Sequence, residues 1–335
     1  MNMTKVNNEI PEFYEYWVSQ AIKRTMKEQN EHTVRVIFYT DPHHMSGGNQ
    51  LRSAAVIRQL AQNIPVDAIV CGGDFSENGP KEEVERSQME ILNALRVQEC
   101  PVFPVKGNHD DNSIQDFHLK TGGVDHVIFP NQSYEDWLKP LEGKVAFDKG
   151  NEFGLYYYYD IPGKKTRIVI INSIDIPYQT ADSGELKHNG QWEYAFSERQ
   201  LDWVERKVFD FGRQPGSDEW KVLFFSHVAI IQDGLEGVDH DVANGEAMWD
   251  IIRRNQKHVA ACFFGHVHCD QVLVRDGIPM ISTLNAATYG RLKDMASETA
   301  FDIVSLNEAK NELSIIRFGA GEDRMISIKN DEGDE

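Results

Sequence analysis

Five short apolar runs in this chain each stop at a residue able to bind a metal through oxygen or imidazole nitrogen. Val34-Arg35-Val36-Ile37-Phe38-Tyr39 stops at Thr40-Asp41-Pro42-His43-His44, and Ala68-Ile69-Val70-Cys71 stops at Gly72-Gly73-Asp74. Val102-Phe103-Pro104-Val105 leads into Lys106-Gly107-Asn108-His109-Asp110, Lys221-Val222-Leu223-Phe224-Phe225 into Ser226-His227, and Val259-Ala260-Ala261-Cys262-Phe263-Phe264 into Gly265-His266-Val267-His268. Runs this short, rich in β-branched and aromatic residues, read as strands. Between the first three lie helical patterns at about Gln50 to Gln62 and from Pro80 to about Leu95. The order β-loop-α-β-loop-α-β is that of a layered α/β domain, in which ligands gather at the carboxyl ends of strands.

The rest of the chain fits around this frame. An amphipathic helix is expected over Phe13 to Glu28, so residues 1–30 form an N-terminal helical segment and 31–328 a single domain. From Asp111 to about Glu152 periodicity fades, and Gly122-Gly123, Pro130-Asn131 and Pro140 punctuate an insertion placed to cover or border the site. Strands resume at Tyr156 to Asp160 and Arg167 to Asn172. A loop from Ser173 to Phe196 carries Asp175, His188 and Trp192, which either decorate the surface or meet substrate. Ser197 and Gln200 have the spacing of a capping box for a helix to about Phe209, and a second helix runs from Asn244 to Asn255. Four further strands follow, at Val272 to Val274, Met280 to Thr283, Phe301 to Ser305 and Leu313 to Phe318. The second half therefore reads as a second sheet packed on the first.

Composition narrows the class. The 335 residues are 41% hydrophobic and 26% charged, with no apolar run near the roughly 18 residues of a membrane span. The N-terminal residues Met1 to Glu9 are polar and lack the apolar stretch of a secretory signal, so a cytoplasmic location with no membrane partner is expected. Cys71, Cys100, Cys262 and Cys269 lack C-x-x-C spacing and suggest neither a zinc knuckle nor a disulfide framework. A formal charge of −19 disfavours nucleic acid as partner, although bound cations would reverse the potential inside one pocket. Residues 329–335 form an acidic tail. Oligomeric state has no signature.

Asp41, His43, Asp74, Asn108, His227, His266 and His268 are seven potential ligands, too many for one tetrahedral zinc and suited to two metals sharing a bridging carboxylate. Pro42 is expected to hold Asp41 extended, and alternation then places Asp41 and His43, like His266 and His268, on one side of the backbone. Gly107 supplies the turn that lets Asn108 and His109 face the pocket.

In this order, D-x-H, G-D, G-N-H-D, H and G-H-x-H resemble the signature of the calcineurin-like metallophosphoesterase superfamily, over about Val34 to Ser282. The resemblance implies a four-layer α/β/β/α sandwich of two mixed sheets flanked by helices. It also implies that Asp41, His43 and His268 bind one metal, that Asn108, His227 and His266 bind the other, and that Asp74 bridges them. Purple acid phosphatases of this superfamily have a tyrosine three residues after the bridging aspartate. Glu77 stands there, which favours Mn, Fe(II) or Zn over a ferric tyrosinate centre.

Two such ions acidify a shared water and clamp phosphate oxygens, so a hydrolase of phosphoric esters acting on a small phosphorylated substrate is expected. His109 is assigned to the leaving oxygen. Asp110 either fixes the His109 tautomer or caps the turn. His44 either contacts substrate or borders the loop. The absence of an arginine cluster near the motifs leans toward a phosphodiester over a monoester, as in a phosphatase. A non-catalytic metal-binding scaffold is the rival, and a nuclease a third possibility. Scaffolds of this fold are expected to lose ligands, and this chain has the whole set.

Overall fold

The structure is a computed structural model and describes residues 10–46, 48–97, 100–212, 216–286, 291 and 294–328. The polar N-terminal residues, Gly47 and the acidic tail lie outside the described residues. Three strands open the first sheet: β1 (Thr33–Tyr39), β2 (Ala68–Cys71) and β3 (Val102–Pro104), parallel to one another. The second sheet holds β4 (Ala146–Phe147), β5 (Tyr157–Asp160), β6 (Thr166–Ile170), β7 (Lys221–Phe225), β8 (Val259–Phe264), β9 (Gln271–Arg275) and β10 (Ile278–Ser282). Its order is β4-β5-β6-β7-β8-β10-β9, with β6, β7, β8 and β10 parallel and the rest antiparallel.

The C-terminal strands depart from expectation. β11 (Ala300–Asn307), β12 (Glu312–Gly319) and β13 (Arg324–Ser327) return to the first sheet, giving the order β13-β12-β11-β1-β2-β3. Every residue of β1 is buried, so its free edge needed a partner. Thr33 to Phe38 pair antiparallel with Asn307 to Asp302. β4 and β13 had no periodic signal because two and four residues, half exposed, carry too little pattern.

Alternation in the central strands welds the layers. Leu223 and Phe225 of β7 and Phe263 of β8 face the first sheet, where Phe38 meets Phe225 and Phe263 at ring distances of 5.3 and 5.8 Å. Phe224, Cys262 and Phe264 face the other way into a separate core. Strands buried on both faces give the unbroken apolar runs read in the sequence. Helices α1 (Glu12–Met26), α2 (Gln50–Asn63) and α3 (Lys81–Leu95) cover the first sheet. The expected insertion folds into α4 (Ser113–Leu119), α5 (Pro130–Ser133) and two further helical turns, and Trp137 packs edge-on to Phe75 at 4.9 Å. Helices α6 (Glu198–Trp203) and α7 (Gly245–Arg254) cover the second sheet.

Only half of the expected capping box forms. Ser197 Oγ accepts from Gln200 N, but the Gln200 amide is spent on Asn172 and Asp175, tying α6 to the end of β6. The helix then widens into a π turn over Val204–Val208. Among the described residues no helix is long and apolar enough to cross a membrane.

Candidate metal centre

The seven expected ligands come together at the carboxyl ends of β1, β2, β3, β7 and β8, in two neighbouring groups. Asp41, His43 and His268 have ligand atoms within 4.8 Å of one another, and so do Asp74, His227 and His266. The Asn108 amide oxygen lies 2.9 Å from His227 Nε2 and 3.1 Å from His266 Nδ1, inside the second group. Asp74 Oδ2 stands between the groups, 3.3 Å from His227 Nε2 and 3.7 Å from His43 Nε2.

The backbone achieves this differently from the extended pairs expected. Asp41, His43, Asp74, His266 and His268 all have positive φ, between 43° and 66°. Pro42 thus does not hold Asp41 extended. Two left-handed residues separated by one other still turn both side chains inward, at a local cost of about 1–2 kcal/mol each that the surrounding bonds must offset. Among those bonds, the Asp41 carboxylate accepts from His266 N and from Thr40 Oγ, and Asp74 Oδ1 accepts from His109 N.

Gly107 serves close approach, since its φ is not positive: a Cβ there would sit 2.2 Å from Asp74 N. Gly265 does the same for the first group, where a Cβ would sit 2.1 Å from Asp41 Oδ2.

Whether these residues suit cations can be judged from their hydrogens. His227 Nδ1 donates to Gly72 O at 2.8 Å, so in the neutral ring, the form that binds a metal, Nε2 keeps a lone pair facing the Asn108 oxygen. Asn108 Nδ2 donates to Gln191 O at 3.2 Å, so its oxygen is the atom turned to the histidines. Acceptor faces acceptor. His43 Nε2 lies 3.0 Å from His268 Nε2, a nitrogen that also stands 3.2 Å from the accepting Asp41 carboxylate. Buried lone pairs in such opposition need a proton or a cation between them, and the mixed oxygen and imidazole donors suit divalent first-row metals.

Charge points the same way. Burial would raise the Asp74 carboxyl, but the imidazoles of His227, His109 and His43 hold it well below the usual range. Burial likewise opposes the shift of Asp41, which His227 and His268 bring down to about 2. For His227 burial would lower the pKa, and the Asp74 and Asp41 carboxylates push it up to about 10. Among the described residues every ion-pair partner of Asp41 and Asp74 is a histidine.

For two residues the contacts favour one of the expected alternatives. Asp110 does not reach the His109 ring. Its carboxylate accepts from Gly107 N at 2.7 Å, Phe75 N at 2.8 Å and Asp74 N at 2.9 Å, fastening the second motif to the third. Burial first, then the Asp74 charge, pushes it up to about 7 despite those bonds. Of the two readings, the turn organiser is the one with contacts. His44 is fully buried and its Nε2 lies 2.9 Å from Glu90 Oε2, so its ring faces α3 and not a substrate.

His109 stands at the open side, partly exposed, with Nε2 3.9 Å from Asp74 Oδ2 and 3.2 Å from Gln191 Nε2. Gln191 Oε1 is buried without a partner, and turning this amide over would let it accept the His109 Nε2 proton. Sequence reasoning missed Gln191. In its loop, Asp175 binds Ser197 and Gln200, His188 pairs with Glu193 at 2.8 Å, and Trp192 packs on Phe117. Also missed was the buried Lys106, which contacts Asp111, Tyr178 and Ile174 O behind the third motif.

The family profile described as calcineurin-like phosphoesterase matches residues 34–270. No curated protein sequence matches the chain. Among solved structures, a dimetal phosphatase from Danio rerio is similar with a TM-score of 0.63 and 18% identity, covering 88% of this chain and 99% of its own. GAP50, the anchor in the inner membrane complex of Plasmodium, is similar with a TM-score of 0.52 and 13% identity, covering 90% of each. At these identities the two structures speak for the fold. The profile match, spanning more than half the chain and all five motifs, places the protein in the calcineurin-like phosphoesterase family, as a hydrolase acting on phosphoesters.

Proposed function

We infer that the chain hydrolyses a phosphodiester with the help of two divalent ions of the Mn, Fe or Zn kind. Asp41, His43 and His268 would hold one ion, Asn108, His227 and His266 the other, and Asp74 both. The observation that carries the dinuclear reading is the opposition of buried lone pairs at the strand ends, with the Asp74 oxygen between the groups. When bound, the ions supply an acidified water and positive charge against the phosphate oxygens. The chain's own contribution to the step is His109, whose partly exposed imidazole can give a proton to the departing oxygen.

Preference for a diester rests on charge at the rim. Glu77 lies 3.7 Å from His43 Nδ1 and 3.9 Å from His109 Nδ1, and the half-exposed Asp239 lies beside His266. With no lysine or arginine paired to the central carboxylates among the described residues, these acids oppose a dianionic monoester more than a monoanionic diester. The test compares kcat/KM for a nitrophenyl monoester and a bis(nitrophenyl) diester in Mn²⁺. Higher turnover of the diester is expected, and a clear monoester preference would overturn this reading.

A further inference from the structure

The two histidines of the second group are oriented by different means. His227 leans on a backbone carbonyl, that of Gly72. His266 Nε2 lies 2.9 Å from Asp239 Oδ1. A carboxylate can only accept, so this contact puts the His266 proton on Nε2 and leaves the Nδ1 lone pair facing Asn108 Oδ1 at 3.1 Å. In the first group, Glu77 Oε1 stands 3.7 Å from His43 Nδ1.

Asp239 is joined to Asn108 by a second route. Tyr194 Oη shares its one proton between Gln191 O at 2.9 Å and Asp239 Oδ2 at 3.4 Å, while Asn108 Nδ2 donates to the same Gln191 carbonyl. The contacts close a ring through Asn108, Gln191 O, Tyr194, Asp239 and His266. The ring is braced from outside. Tyr194 forms a parallel bridge with Val242, Ala243 N donates to Tyr194 O, and Asn244 bonds both the N–H and the carbonyl of Phe196. The buried Tyr194 ring also packs edge-on to His266 at 5.3 Å.

We propose that Asp239, with Tyr194 as its link to Asn108, is a positioning residue that turns the metal-facing atoms of His266 and Asn108 toward the second ion. This rests on the dinuclear reading above. Carboxylates in this position behind a ligating histidine are worth about 10–100-fold in metal affinity.

The test is calorimetric titration of the metal-free full chain with Mn²⁺, for the natural protein and for Asp239→Ala, Asp239→Asn, Tyr194→Phe and, as a marker of the first group, His268→Ala. Two binding events are expected in the natural protein. Asp239→Ala should weaken one of them by about 10–100-fold, and it should be the event that His268→Ala affects less. Asp239→Asn, whose amide oxygen still accepts the His266 proton, should recover most of the loss, and Tyr194→Phe should cost a few-fold.

Unchanged affinities in Asp239→Ala, equal weakening of both events, or no recovery with Asp239→Asn in a protein whose circular dichroism is unaltered would overturn the assignment while leaving the dinuclear reading intact. A natural protein that binds fewer than two ions would overturn both.

Discussion

The two ends of the paired sheets carry opposite kinds of polar architecture. At the amino ends of β6, β7 and β10 lies a cavity of about 730 Å³ lined by Lys164, Lys165, Lys221, Lys257, Asp218 and Glu219 among others. Each of these lysines has a partner: Lys164 donates to Glu31 O, Lys165 to Glu219, Lys257 to Asp218 at 3.0 Å and Lys221 to Lys257 O at 3.0 Å. At the carboxyl ends the buried carboxylates of Asp41 and Asp74 have only histidines as ion-pair partners among the described residues, and the Asn108 oxygen faces two of those ring nitrogens. Volume therefore does not locate the chemistry here. What locates it is the sign mismatch that the fold leaves for a cation to resolve.

The sharpest way to break this contrast is to remove the proton donor from the carboxyl end without touching a ligand. His109→Ala should lower kcat by about 10²–10⁴-fold while the protein still binds two ions, since loss of a general acid costs on that order. The loss should be larger for an ester with an alkyl leaving group than for one releasing nitrophenolate, which needs little protonation. Equal losses on both would remove His109 from the leaving-group role.

The next effect is on stability. Asp110→Ala should destabilise the fold by about 2–4 kcal/mol, because three buried N–H groups, of Gly107, Asp74 and Phe75, lose their acceptor. Chemical denaturation of the metal-free protein measures this. A change below about 0.5 kcal/mol would mean that water or a rearranged turn replaces the carboxylate.

A pH dependence follows from the same end of the molecule. In the metal-free protein the His227 imidazole, pushed up to about 10 by Asp74 and Asp41 against the effect of burial, contributes stability that is fully present below pH 6.5. That contribution is lost as pH rises from about 6.5 through 10, because the folded chain then gives up a proton that the unfolded chain has already lost. The raised Asp110 works in the same direction at lower pH, between about 3.8 and 7. Thermal melts of the metal-free protein should fall in temperature over pH 7 to 10, whereas Mn²⁺ affinity should rise over that range as the ion replaces the proton. Melting temperatures flat across this range would show that His227 is already neutral.

Much of this end was legible in the residues alone, and the reason is physical. Ligands at strand ends come with two strong local signals, a β-branched run and a Gly or Pro stop, and the five motifs carry both. The geometry within each motif was less legible. Asp41-Pro42-His43 looked extended, yet Asp41 and His43 are left-handed, held there by bonds to residues such as His266 that are 225 positions away. Asp110 was placed beside His109 by sequence neighbourhood, while its partners Asp74 and Phe75 lie across the motifs. Gln191, Tyr194 and Asp239 sit in long loops without periodicity, where only the folded contacts single them out. The return of β11 to β1 was missed because antiparallel pairing over some 270 residues leaves no mark in either strand.

The amino-end cavity supplies the small-effect side of the comparison. Lys257→Ala breaks the pair with Asp218, in which both side chains are mostly exposed, and leaves the backbone carbonyl that receives Lys221 in place. Exposed pairs of this kind add little to stability, so the denaturation midpoint should barely move and kcat/KM should change by less than about twofold. Raising salt should shrink even that stability difference, since the pair is open to solvent and screening. A tenfold fall in turnover of either nitrophenyl ester would contradict the division of labour drawn here, because it would require a cavity at the opposite end of the strands to act on the metal-ligand groups through the length of both sheets.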